Sequence, residues 1–134
     1  MSSVTRLAVA ALASANTTNG TARNGANLAT NLADAGGIAV ECVSSITTSS
    51  VLATFKLQAS RDNTTWIDVD GKSFATDAGT GSAVTTRKVL TFDAAAHAHD
   101  FVRVVATLSG ASTNSADVTS ATYVYVPAGR LYRR

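Results

Sequence analysis

Apolar and polar residues alternate along most of this chain, and this period-two pattern limits its fold more than any other feature. In residues 51–60, Phe55 and Leu57 fall on one side of an extended chain, and Lys56 and Gln58 fall on the other. Successive side chains of a strand point to opposite faces, so such a segment has one buried face and one wet face. Comparable segments occupy residues 4–12, 38–46, 66–69, 84–92, 101–108 and 118–126. Because Gly, Ser, Asn and Asp separate them, the sequence predicts an all-β fold, an antiparallel β-sandwich of about seven to eight strands.

The length of 134 residues suits one domain, which we divide into three parts. Residues 16–31 are rich in Asn, Thr, Gly and Ala and have little to bury, so we predict an extended N-terminal arm with an irregular connection over residues 1–35. The sandwich body is predicted over residues 36–127, because Pro127 lacks the N–H that a further strand would need. Residues 128–134 form a predicted basic C-terminal tail.

The composition predicts a thin core and a protein that assembles with others. The chain has 25 Ala, 19 Thr and 14 Ser, so few large side chains are available for burial. Part of its stability is therefore expected to come from neighbouring subunits, and a homo-oligomer is expected. Charged residues make up only 15% of the chain and the net charge is +2, which makes nucleic acid an unlikely partner.

The residues that enzymes need for acid–base chemistry are scarce. Glu41 is the only glutamate, and the two histidines, His97 and His99, are separated by a single alanine. We find no nucleophile with a base and an orienting acid, and we expect no catalytic residue. The histidine pair lacks a third ligand at zinc spacing, and the D-x-D-G run that starts at Asp68 lacks the glutamate of a calcium loop. We therefore predict no enzyme, no metal and no cofactor, with Cys42 as a buried thiol.

Large and charged side chains on the second faces of two strands indicate an interface. On the strand at 101–108, Phe101, Arg103 and Val105 lie opposite a face of aliphatic residues. Tyr123 and Tyr125 likewise lie on a strand whose other face is also apolar, and the basic tail follows this strand directly. A solvent-facing sheet rarely carries such side chains, so a partner is expected to cover them. The interface candidates are Phe101, Arg103, Val105, Tyr123, Tyr125, Arg130, Leu131, Tyr132, Arg133 and Arg134.

Two segments give the chain a resemblance to a known group. The first is F-K-L-Q-A-S-R-D-N-T-T-W-I-D-V at residues 55–69, and the second is F-V-R-V-V-A-T-L-S-G at residues 101–110. Together they resemble small β-sandwich virion proteins of tailed bacteriophages. The resemblance implies a capsid decoration protein, also called a cement protein, which binds the major capsid protein or other virion subunits and stabilises the assembled lattice.

That reading implies a location on the capsid surface of the virion after synthesis in the host cytoplasm. The apolar run at residues 7–12 is short and mostly Ala, so we expect no signal peptide, and no stretch of about 20 apolar residues predicts a membrane span. Two alternatives remain open. One is a tail-tube or head–tail structural subunit, and the other is a carbohydrate-binding β-sandwich module in which Trp66 would serve as the platform for a sugar.

Overall fold

The computed structural model describes residues 8–16, 22–29, 35–92, 100–109 and 116–127, and it shows two antiparallel β-sheets that enclose one core. The strands are β1 (Ala8–Ala15), β2 (Ala22–Asn24), β3 (Leu28–Ala29), β4 (Ala35–Ile46), β5 (Ala53–Ser60), β6 (Ile67–Ala75), β7 (Val84–Phe92), β8 (Phe101–Leu108) and β9 (Val118–Pro127). The predicted all-β antiparallel sandwich is confirmed. The described part of the chain has nine strands, because two very short ones, β2 and β3, occur where an irregular connection was expected.

Sheet A has four strands in the order β1-β9-β4-β7, and sheet B has the order β2-β8-β5-β6. In sheet B, β3 pairs with the same strand, β8, a few residues beyond β2, so the two short strands share one edge. The pairing of β4 with β7 runs through nine consecutive residue pairs without a shift. The edges at β6 and β7 lie on one side of the sandwich, where Lys72 of β6 reaches Thr91 of β7, and those at β1 and β2 lie on the other, where Arg23 of β2 reaches Ala13 of β1.

The core forms because the alternating apolar residues of both sheets face one another. It includes Ile38, Val40, Cys42 and Ile46 from β4, Phe55 and Leu57 from β5, Val102, Val104 and Leu108 from β8, and Tyr123 from β9. Phe55 also stacks on Phe74 of β6, with ring centroids 5.3 Å apart. The large side chains are few, as the composition predicted, and they are concentrated in the central strands.

The described residues before position 35 belong to the edges of the sandwich, which differs from the prediction of an extended arm there. β1 pairs with β9, and Leu12 is buried in the core. Leu28 of β3 is buried as well, and Gly25 donates its N–H to the carbonyl of Val104 over 2.7 Å. A Cβ at Gly25 would lie 2.8 Å from a side-chain carbon of Val104, so only glycine allows the chain to approach β8 this closely. Backbone pairing with the sheet edges orders these segments although they bury few large side chains.

β6 is longer than the predicted strand at 66–69. Gly71, at the end of the D-x-D-G run, has a positive φ of 73°. The strand continues past Gly71 to Ala75 because Gly71 lies in a bulge of β6. Lys56 of β5 pairs with Ser73 and Gln58 pairs with Asp68, so the residues of β6 between Asp68 and Ser73 lie opposite a single residue of β5. Residues 61–65, whose Asp and Asn favour a turn, form the hairpin connection between β5 and β6, with Asn63 at a φ of 61°.

Candidate assembly surfaces

The outer face of sheet B carries a connected group of polar side chains around Arg103. The guanidinium of Arg103 lies 4.3 Å from the centre of the Trp66 ring, and its Nε donates to Oε1 of Gln58 over 2.9 Å. Gln58 in turn donates to Asp68, and Nζ of Lys56 lies 3.2 Å from the same carboxylate. These bonds, first Gln58 and then Lys56, lower the pKa of Asp68. The sheet brings the four polar groups together because Gln58 is paired with both Arg103 and Asp68.

This arrangement engages Trp66 and Arg103, one of the three interface candidates on β8. Trp66 is half-buried, and one ring face is occupied by Arg103, which leaves less of the ring for a ligand. Phe101 is also half-buried, and it pairs with Ser60 on one side and Ala29 on the other. Val105 is only 3% exposed, so the chain itself already covers this residue. Of the three candidates on β8, Phe101 and Arg103 retain surface that a partner could contact.

Tyr123 is a core residue, so its prediction as an interface residue was wrong. It is fully buried, and its hydroxyl accepts the N–H of Val104 over 2.9 Å and donates to the carbonyl of Ala26 over 2.6 Å. These partners satisfy the phenol inside the sandwich, which is the condition for burying a Tyr side chain. The alternation of β9 then places Val124 on the outer face. Whichever face of β9 is turned toward the core, apolar side chains lie on both of its faces, so the sequence pattern could not distinguish the two orientations.

The remaining candidates fall where the structure gives no side-chain description. The backbone of Tyr125 pairs with Ile38, but its side chain is not described. The tail residues Arg130, Leu131, Tyr132, Arg133 and Arg134 lie outside the described residues, as do His97 and His99.

The outer face of sheet A is a second surface, and it was not among those predicted from the sequence. On β9, β4 and β7, three of the four strands of the sheet, it consists of twelve side chains paired in register. They are Val118, Ser120, Thr122 and Val124 of β9, Ala39, Glu41, Val43 and Ser45 of β4, and Thr85, Arg87, Val89 and Thr91 of β7. Val89 is 51% exposed. The alternation along β4 could have identified this face, because the residues between its buried ones point outward.

Charge is sparse on this face and concentrated on the opposite one. The only charged side chains among the twelve are Glu41 and Arg87, and they pair with each other, with Nη1 of Arg87 3.3 Å from Oε1 of Glu41. The outer face of sheet B carries Lys56, Asp68 and Arg103 instead. The sandwich therefore has one side of small and β-branched side chains with balanced charge, and one side with a polar network.

A shallow cleft of about 310 Å³ lies beside the hairpin turn at 61–65 and is lined by Ala59, Ser60, Arg61, Asp62, Thr65 and Ile67. The Asp62 carboxylate accepts hydrogen bonds from the N–H groups of Thr64 and Thr65 and from the Ser60 hydroxyl. The N–H of Thr65, then that of Thr64, then the hydroxyl, lower the pKa of Asp62 to about 2. Its hydrogen bonds fix the turn that forms the wall of the cleft.

Two potentially reactive groups among the described residues, the Cys42 thiol and the Asp68 carboxylate, are respectively buried in the core and bonded to neighbouring side chains. Burial, and then the charge of Glu41, raises the pKa of the Cys42 thiol to about 12, which leaves it a poor nucleophile. Asp68 is bonded to Gln58 and Lys56. Within the described ranges, no three His, Cys, Asp or Glu side chains come together as metal ligands would, and no helix has the length and apolarity to cross a bilayer.

Compared with known proteins, the chain matches no protein-family model and shows no match among curated proteins.

Proposed function

We propose that this chain is a bacteriophage virion structural protein, a capsid decoration protein that binds the assembled shell through the outer face of sheet A. The observation that carries the proposal is the unequal distribution of charge between the two outer faces. Protein interfaces are depleted of charged residues in their centre, and the outer face of sheet A has that composition, with one balanced ion pair among twelve side chains. The polar network of Lys56, Gln58, Asp68 and Arg103 would then face solvent.

The size of this face suggests how it would bind. Strands lie about 4.8 Å apart and residues on one face repeat about every 6.8 Å, so twelve positions cover about 400 Å². A standard-size interface buries about 800 Å² on each partner. One copy would therefore bind weakly through this face alone, and firm attachment requires further contacts, such as neighbouring copies or the basic tail. Repeated weak contacts on a regular lattice stabilise the lattice because the protein binds only its assembled form.

The experiment compares binding to purified empty shells by sedimentation. Val43 lies in the middle of the outer face of sheet A, and Thr54 is an exposed residue on the outer face of sheet B. Val43→Arg would bury an unpaired charge in the interface and should weaken binding ten-fold or more. Thr54→Arg adds the same charge in a strand on the other face and should bind as the parent protein does. Equal losses in both variants, or a larger loss for Thr54→Arg, would contradict the assignment of the face.

The contribution of the tail is measured in the same experiment. A buried aromatic side chain can cost about 2 kcal/mol when truncated, whereas a charge at the rim mainly changes the association rate and the salt dependence. Tyr132→Ala should therefore weaken shell binding more than Arg134→Ala does, at low and at high salt. A tail-tube or connector subunit would instead form rings without a shell, which negative-stain microscopy of the purified protein would reveal.

A further inference from the structure

The free edge of β7 is the most regular strand edge in the described part of the chain. β7 pairs with β4 over nine consecutive residues, and no backbone hydrogen bond joins its other side to any described segment. The other edges are irregular or short: β6 carries the bulge at Gly71, β1 has two register shifts, and β2 and β3 together have five residues. A long, straight edge presents a row of unused N–H and C=O groups that can pair with another strand.

The charge along this edge is positive. Nζ of Lys88 lies 5.2 Å from the centre of the Phe74 ring, and Nζ of Lys72 donates to the Thr91 hydroxyl over 3.2 Å. No carboxylate among the described residues is within ion-pair distance of either lysine, whereas Arg87 is paired with Glu41. Asp77 lies at the other end of the strand, where its N–H bonds to Thr86. The half of the edge from Arg87 to Thr91 therefore has an excess of positive charge.

This charge disfavours pairing between two copies of the protein. Two β7 strands paired antiparallel about their midpoint would place Lys88 directly opposite Lys88, and like charges in that position are destabilising. The ends of the chain are also unsuitable as the added strand, because they carry Arg6 at the start and Arg130, Arg133 and Arg134 at the finish, with no acidic residue nearby.

We propose that the free edge of β7 binds, by strand addition, an extended segment of a partner protein that carries acidic side chains. Main-chain hydrogen bonds to the edge would provide the pairing. Acidic side chains opposite residues 87–91 would meet Lys72 and Lys88 and provide the selectivity. The inference relies on the proposed assembly function only for the source of the segment, which would be a virion subunit, and its test uses no shell.

The test measures amide hydrogen exchange along β7 by NMR in the presence of a synthetic peptide. The probe is as long as β7 and alternates two valines with two glutamates, so that glutamates lie on both faces of the added strand, toward Lys88 on one face and toward Lys72 beside Thr91 on the other. Every second amide of an edge strand points outward, so strand addition should slow exchange at alternate residues of β7 and leave β6 unchanged. At a free peptide concentration of about five times Kd, the slowing at these amides should be about six-fold. Absence of the alternating pattern would overturn the proposal.

Two control peptides separate strand addition from simple charge attraction. The first has the same sequence but is N-methylated at alternate residues, so that it keeps the charge and loses the hydrogen bonds. The second has lysine in place of glutamate. Both should fail to slow exchange. Equal slowing by either peptide, or tighter binding by an oligothymidylate of equal charge, would overturn the inference.

A matched pair of double variants tests the role of the lysines. Lys72→Gln with Lys88→Gln should weaken binding of the glutamate peptide about five-fold, the effect of two exposed charge pairs. Lys56→Gln with Arg61→Gln removes the same charge from sheet B and its turn and should leave binding unchanged. An equal loss in both would show that only the net charge of the protein matters. A negative peptide result leaves the shell-binding experiment with Val43→Arg unaffected.

Discussion

Replacing Arg23 by alanine should destabilise the whole sandwich, although the residue lies on a strand of only three residues. Arg23 belongs to β2 in sheet B, and its guanidinium reaches sheet A. Its Nη2 donates to the carbonyl of Ala13 over 2.6 Å, and its Nη1 donates to the carbonyls of Ala15 and Thr119 over 3.2 and 2.8 Å and to the Thr119 hydroxyl over 2.9 Å. Burial lowers the pKa of Arg23. One side chain thus links the edge of sheet B to two strands of sheet A.

The size of the effect follows from the number and type of these bonds. A hydrogen bond from a charged donor contributes about 1.5–3 kcal/mol, but three of the four bonds share one nitrogen and part of the group remains exposed to water. We therefore expect Arg23→Ala to lower the free energy of unfolding by about 2–4 kcal/mol. A domain of this length has a total of roughly 7–20 kcal/mol, so the loss would be a substantial fraction.

Urea unfolding followed by circular dichroism and by Trp66 fluorescence measures this loss. Arg23→Lys should recover only part of the stability, because an ammonium group cannot reproduce the planar fork that contacts several acceptors at once. Arg61→Ala is the control, since Arg61 is exposed in the turn at 61–65 and should change stability by less than about 0.5 kcal/mol. If Arg23→Ala loses no more stability than Arg61→Ala, the contact between the sheets does not stabilise the fold as argued.

Two further predictions concern groups whose hydrogen bonds are known in detail. Tyr123→Phe keeps the ring but leaves the buried N–H of Val104 and the carbonyl of Ala26 without their partner, so the free energy of unfolding should fall by about 1–3 kcal/mol in the same urea assay; an unchanged value would mean that water replaces the hydroxyl. Asp62 should titrate with a midpoint of about 2 in a carboxyl NMR titration, below its ordinary value of 3.8. Because its folded-state pKa is lowered, its contribution to stability is present above the ordinary value and is lost as the pH falls through about 2. A midpoint near 3.8 would contradict the turn geometry.

The faces of β4, β5 and β8 could be predicted from the sequence because one side of each strand is clearly the more apolar. Phe55 and Leu57 alternate with Lys56 and Gln58, and the structure buries the first pair in the core. The orientation of β9 could not be predicted in this way. Tyr123 and Val124 are both apolar enough to face the core, and what decides between them is the pair of partners for the Tyr123 hydroxyl, one of which is 97 residues away in sequence.

The N-terminal segment shows why composition is a weak guide at the edge of a sheet. Low apolar content argues against independent folding of residues 22–29, and that argument is correct for the segment in isolation. An edge strand, however, needs only one neighbour for its backbone groups, and β8 provides it. The side chains that fix the segment are then a glycine that permits close approach and an arginine whose acceptors lie on the other sheet. In a sequence, both resemble ordinary loop residues, because their effect depends on contacts with distant strands. Assembly surfaces of this protein that depend on backbone edges, such as that of β7, are equally hard to detect from residue types alone.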